Sequence, residues 1–286
     1  MALVRAVPVL LSLAVNLAPP AARAQSPQPW AGAGIQAGQE HGRSQLTAAR
    51  LSAAAAAVRG ESVKPPRDAM QFTVRVENIS AGEVLKLSTG KTAPFVSAPV
   101  LWVTHTGSTN PIFAGGKRDG GEGLELLAET GDPSKLLASL NGKPGVVGVG
   151  GVARPVGATA DGPLTPGQKY EFRISAQPGE QLSTAWMFGQ SNDLFYSNDR
   201  PIALFDASGH PVSGELTTRL SLWDAGSEVN EEPGLGPNQG PRQATPDAGV
   251  AESQRIAHVR DKYTYPRIGE VLRVTVTPSE DAVSSR

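Results

Sequence analysis

Apolar and polar residues alternate along several short stretches of this chain, and that alternation predicts strands. Phe72, Val74 and Val76 alternate with Thr73, Arg75 and Glu77, a half-buried strand ended by the turn from Asn78 to Gly82. Val100 to Thr106, carrying Trp102 and His105, reads as a second. Tyr170, Phe172 and Ile174 alternate with Glu171, Arg173 and Ser175 behind a Pro166-Gly167 turn signal. Leu216, Thr218, Leu220 and Leu222 oppose Thr217, Arg219 and Ser221, predicting a strand over 216–223. Leu272, Val274 and Val276 share one face of a closing strand over 271–277. Residues 182–188 break this pattern, being largely apolar and uncharged, and predict a central strand buried on both faces.

Between the second and third strands the period lengthens. Residues 123–129 and 133–140 read as short helical pieces whose apolar faces are Leu124, Leu127, Leu136, Leu137 and Leu140, with Asp132-Pro133 as a start signal. The glycine-rich run 141–162 reads as a long loop. Gly148-Val149-Gly150-Gly151-Val152-Ala153 inside it imitates a dinucleotide fingerprint, but Arg154-Pro155 stands where a helix must open, so that reading fails. Strands at this spacing predict an all-β, mainly antiparallel β-sandwich with one or two short helices in a long inter-strand connection.

The ends of the chain have a different character. Arg5, an apolar stretch from Ala6 to Ala18 and the small-x-small run Ala22-Arg23-Ala24 predict a secretory signal over 1–24, cleaved before Gln25. The short apolar span, interrupted by Pro8 and followed by Pro19 and Pro20, argues against a retained membrane helix, so no membrane span is expected after cleavage. Residues 25–68 are too poor in apolar bulk to build a core and read as a tether with an alanine-rich helix over 46–59. The sandwich is expected over 69–278 and a frayed polar tail over 279–286.

Composition narrows the class. The chain has 32 glycines and 24 prolines, well above the average usage of about 12% for the pair, which favours loops and strands over helical bundles. Net charge is −1, so no global field recruits nucleic acid. Cysteine is absent, so a secreted fold here relies on packing and, where present, metal; this suits a bacterial periplasmic or extracellular protein. The four histidines, at 41, 105, 210 and 258, form no HExxH or HxH pair, and no Gly-x-Ser-x-Gly elbow occurs. Asn78-Ile79-Ser80 matches a glycosylation sequon.

Two acidic loops carry the candidate chemistry. Residues 190–196 follow the buried strand with Asn192 and Asp193. Residues 224–232 follow the strand over 216–223 with Asp224, Glu228, Asn230, Glu231 and Glu232. Adjacent strand ends would bring Asp193, Asp224 and Glu228 together, where mutual repulsion raises their pKa values unless a cation neutralises them. Calcium suits such flexible, oxygen-rich loops. The alternative is that Asp224 caps a turn and the glutamates are solvated.

Ser191-Asn192-Asp193-Leu194-Phe195, followed about thirty residues later by Trp223-Asp224-Ala225-Gly226-Ser227-Glu228-Val229-Asn230-Glu231, resembles the bacterial branch of the spondin N-terminal domain family. Residues 74–81, 98–106 and 124–137, with Leu127-Ala128-Glu129 and Gly131-Asp132, are similar to further segments of that family, and the resemblance covers about 70–277. It implies an eight-stranded antiparallel β-sandwich of C2-like topology with calcium at one end, and a role in adhesion and ligand binding. By motif, Asp193, Asp224 and Glu228 are the implied ligands, with Asn192 and Asn230 as additions. The chain departs from the animal members in lacking cysteines and thrombospondin repeats, and in carrying Ser227-Glu228 for Thr-Asp.

The expectation is therefore a secreted or periplasmic, non-enzymatic, calcium-binding β-sandwich whose partner is an extracellular protein or glycan. Two alternatives stand beside it: a secreted hydrolase using the Asp193 and Asp224 loops, for which a deep aromatic cleft beside them would speak, and a metal-independent binding domain.

Overall fold

Thirteen strands build three antiparallel sheets in the computed structural model, which describes residues 69–279. The predicted signal over 1–24, the tether over 25–68 and all but the first residue of the predicted tail over 279–286 lie outside the described residues. In chain order the strands are β1 (Met70–Asn78), β2 (Leu85–Lys86), β3 (Thr92–Ala93), β4 (Val100–His105), β5 (Val146–Val152), β6 (Lys169–Ala176), β7 (Gln181–Met187), β8 (Leu194–Asn198), β9 (Ile202–Ala203), β10 (Gly214–Glu215), β11 (Leu220–Asp224), β12 (Ala257–His258) and β13 (Leu272–Pro278). Three short helices accompany them: α1 (Leu124–Thr130), α2 (Ser134–Leu140) and α3 (Ile268–Val271).

The fold is an antiparallel β-sandwich. One sheet has the order β10-β13-β1-β6, the other the order β12-β11-β8-β7-β4-β5 with β9 added to β7; β2 and β3 form a separate ribbon. Phe72, Val74 and Val76 of β1, Tyr170, Phe172 and Ile174 of β6, and Val274 and Val276 of β13 meet Val100, Trp186 and Tyr196 of the larger sheet in one buried core. The period-2 alternation seen in the sequence is this inward face.

A second core lies on the opposite side of the larger sheet. Leu101, Val103, Ala185, Phe195 and Trp223 pack there against Leu124, Leu127, Leu136, Leu137 and Leu140 of α1 and α2. Both helices belong to the β4–β5 connection, as expected, and they explain why β7 is uniformly buried beyond its first residue: it is covered on both faces. Among the described residues no helix is long and apolar enough to cross a membrane.

Three segments differ from the sequence reading. The predicted loop over 141–162 contains β5, paired along its length with β4. Its glycines make room for Trp102, which stacks on Phe172 with ring centroids 6.0 Å apart; a Cβ at Gly150 would lie 2.5 Å from the indole. Glycine thus removes the apolar alternation by which the strand would have been recognised. The predicted strand over 216–223 is divided, with a 3₁₀ turn at Thr217–Arg219 before β11. Thr217 Oγ1 accepts the Val274 amide at 3.0 Å and Leu216 donates its amide to the Val274 carbonyl at 2.7 Å, which ties this turn to β13. Finally, β8 occupies the end of the expected acidic loop, because Leu194-Phe195-Tyr196 is an apolar run facing both cores.

The sequon residue Asn78 is 1% exposed. Its amide donates to the carbonyls of Phe95 and Leu164, each at 3.0 Å, while its oxygen accepts from the amide and hydroxyl of Ser80. It is a buried crosslink and offers no acceptor surface for a glycan in the folded domain.

Candidate metal centre

The centre forms where β8 begins and β11 ends. These strands pair antiparallel with Asp224 opposite Leu194, so Asp193 and Asp224 emerge at one end of the larger sheet. The strands over 182–188 and 216–223, expected from sequence to be adjacent, are not themselves neighbours; β8 lies between them, and its own pairing with β11 brings Asp193 beside Asp224.

Asp193 is fully buried. Its Oδ2 accepts the amides of Ser227 at 3.0 Å and Glu228 at 3.1 Å, and its backbone carbonyl accepts the Ala225 amide at 3.2 Å. Its Oδ1 has no protein hydrogen-bond partner. Such an atom costs about 1–3 kcal/mol unless something fills the position. Burial raises the Asp193 pKa well above the carboxylate range, and the Asp224 charge adds to the rise.

Asp224 shapes the loop that follows. Its Oδ1 accepts the Gly226 amide at 2.7 Å and its Oδ2 the Asn230 side-chain amide at 2.6 Å. Gly226 has φ +70°, a left-handed conformation that L side chains rarely adopt, and a Cβ there would also press on Gln254. Burial raises the Asp224 pKa, these two donors oppose the rise, and Asp261 adds repulsion. Asn230 Oδ1, like Asp193 Oδ1, is buried without a protein hydrogen-bond partner.

Beyond this turn the chain folds back on itself. Ser227 O accepts the Glu252 amide at 2.7 Å, Val229 donates to Val250 O at 2.8 Å, and Gly226 O accepts from Gln254 at 3.0 Å. This pairing delivers Glu252 to the centre. Asp193, Asp224 and Glu252 each offer an oxygen, and these atoms lie within 4.8 Å of one another. Two oxygens sharing one calcium at about 2.4 Å are no more than about 4.8 Å apart, so the three fit a single hard cation. Burial raises the Glu252 pKa, with Asp224 adding repulsion. Sequence reasoning missed Glu252, which sits in a stretch of Gln, Pro and Gly with no periodicity to place it.

The other residues singled out from sequence have distinct placements. Glu228 sends its amide to Asp193, while its Oε1 accepts the Gly249 amide at 2.6 Å. Its carboxylate also meets the Asn192 side chain, and its charge reaches Asp193, while Glu252 supplies the third oxygen of the group with Asp193 and Asp224. Asn192 donates to Val229 O at 2.8 Å and accepts the Glu231 amide at 3.2 Å, and its side chain also meets the Glu228 carboxylate. It locks the two loops together.

A cavity of about 720 Å³ opens nearby, lined by Phe113, Trp223, Ile256, Asp199 and Arg200 among others, and neither Asp193 nor Asp224 lines it. Trp223 closes its floor, with Phe113 edge-on at 4.8 Å and His258 at 4.0 Å between ring centroids. His105 is buried away from the centre, with Nε2 at 2.9 Å from Ser183 Oγ. The chain matches no protein-family model and no curated protein.

Proposed function

We propose that this chain is a secreted, non-enzymatic β-sandwich of the spondin N-terminal kind that binds calcium through Asp193, Asp224 and Glu252, with Asn230 Oδ1 beside them. One observation carries the reading: a fully buried carboxylate oxygen, Asp193 Oδ1, lacks a protein partner at a point where two further carboxylates converge. Such oxygens are best satisfied by a hard cation, and calcium accepts the mixed carboxylate and amide set with a flexible geometry. The ion would tie the β7–β8 loop to the loop after β11, and the rim so stiffened would meet an extracellular protein or glycan in adhesion. Neither Asp193 nor Asp224 lines the neighbouring cavity, which favours binding over hydrolysis at these carboxylates.

Calcium at about one hundred times its Kd would stabilise the fold by about 2.7 kcal/mol, a rise in Tm of about 5–10 °C for a domain of this size. Melting the full chain in calcium and in chelator tests this. The expected rise disappears in Asp224→Ala. Coincident curves for the natural chain would mean the motif is turn chemistry alone.

A further inference from the structure

We infer that the cavity floored by Phe113 and Trp223 is a binding site for a short neutral oligosaccharide.

The cavity encloses about 720 Å³, inside the range of about 300–1,000 Å³ usual for ligand sites. Two wall segments carry most of its charge. Arg118-Asp119 belongs to the connection between β4 and α1, and Asp199-Arg200 to the turn after β8. Among the described residues neither arginine forms an ion pair, although each has a carboxylate beside it in sequence. Asp199 has only His258 near it, at 3.7 Å, and Asp119 accepts one long bond from the Glu125 amide at 3.4 Å. Opposite charges nearby do pair: Glu122, at the same rim, binds Lys143. Two guanidinium groups and two carboxylates thus line one space without cancelling, and Lys117, also unpaired, adds further donors.

This ring of charges selects the class of ligand. An anion would meet the two carboxylates, and a cation the two guanidinium groups. A polyol suits both, because each hydroxyl donates to a carboxylate and accepts from an arginine. The floor supplies the second requirement. Phe113 is half-buried and stands edge-on to Phe195 and Trp223, with ring centroids 5.2 and 4.8 Å away, so its ring is held in place. A pyranose presents an apolar face of C–H groups, which the negative face of an aromatic ring attracts.

The walls are built before any ligand arrives. Gly116 donates its amide to Ile256 O and Ile256 donates to Lys117 O, each at 2.8 Å, while Asn110 Oδ1 accepts the Ile112 amide at 3.0 Å. Gly115 leaves room for the Trp223 ring, which a Cβ there would approach to 3.2 Å. Little ordering is left for binding to impose. Neither Asp193 nor Asp224 lines this cavity, so the site goes beyond the calcium centre and does not depend on it.

Ligand-observed NMR titration of the full chain with maltotriose, cellotriose and chitotriose tests the inference. A heparin disaccharide serves as anionic probe and the dipeptide Gly-Phe as zwitterionic probe. Saturable binding of at least one neutral trisaccharide is expected, weakened about tenfold in Asp199→Ala and in Arg118→Ala through loss of a charged hydrogen bond. Both residues are exposed, and unchanged melting curves would verify that the variants fold. Binding of the heparin disaccharide or Gly-Phe alone would overturn the neutral-sugar assignment. Trisaccharide binding of equal strength in the natural chain and both variants would place it outside this cavity. Absence of saturable binding by every probe would contradict the site, and leave the calcium centre untouched.

Discussion

Asp193 Oδ2 accepts the backbone amide of Glu228 at 3.1 Å, so Glu228 meets Asp193 through its peptide and not its side chain. This one relationship organises the acidic end of the sheet. It spends one carboxylate oxygen of Asp193 on structure and leaves the other for a ligand. The Glu228 carboxylate in turn accepts the Gly249 amide at 2.6 Å.

The pH dependence of the metal-free fold follows from the same arrangement. Burial pushes the Glu129 pKa from 4.5 up to about 8; the Ser227 hydroxyl lowers it in part, and Glu228 adds to the rise. Asp193, Asp224 and Glu228 are raised in the same direction, each chiefly by burial. A folded-state pKa above the unfolded value means that the folded state holds more protons, so this contribution is present at low pH and lost as pH rises through the folded pKa. In chelator, Tm should fall between about pH 5 and about pH 8.5, less steeply in Glu129→Gln. Calcium should flatten the profile. A Tm that rises across this window in chelator would be inconsistent with these buried carboxyls.

Asn78→Ala should destabilise the domain by about 1–3 kcal/mol, because it leaves the Phe95 carbonyl without this donor and the Leu164 carbonyl with the Ser97 amide alone. Denaturant unfolding measures the change. A loss below about 0.5 kcal/mol, the range of ordinary surface substitutions, would show that the crosslink is dispensable.

Gly150→Ala should cost about 1–3 kcal/mol through collision with the Trp102 ring, which is held on its other side by Phe172. Gly162→Ala, where a Cβ meets nothing within 4 Å, is the matched control and should change little. Equal denaturant midpoints for the two variants would contradict the packing described for β4 and β5.

Much of the sandwich is legible in the sequence because one physical signal, alternation, marks strands with a single buried face. β1, β6 and β13 show it clearly, and β7 shows the uninterrupted apolar run of a strand covered on both sides. β5 escapes because Gly148 and Gly150 replace the side chains that would have alternated, for the sake of a tryptophan on the neighbouring strand. β8 escapes because the polar residues before it make the whole stretch look like loop. At the candidate centre, Asp193 and Asp224 are legible as strand-end carboxylates. Glu252 is not, since only the fold-back pairing of 226–229 with 250–254 brings it there.

Calorimetric titration of calcium into the full chain and into Asp193→Asn tests the central claim most directly. The asparagine keeps an oxygen to accept the Ser227 and Glu228 amides, and it places an NH₂ group where Asp193 Oδ1 would meet the ion. The natural chain should show saturable binding, and the variant should lose one equivalent of bound calcium while folding normally in chelator. Identical isotherms for the two proteins, or no binding heat and no bound metal in either, would contradict a calcium site at Asp193.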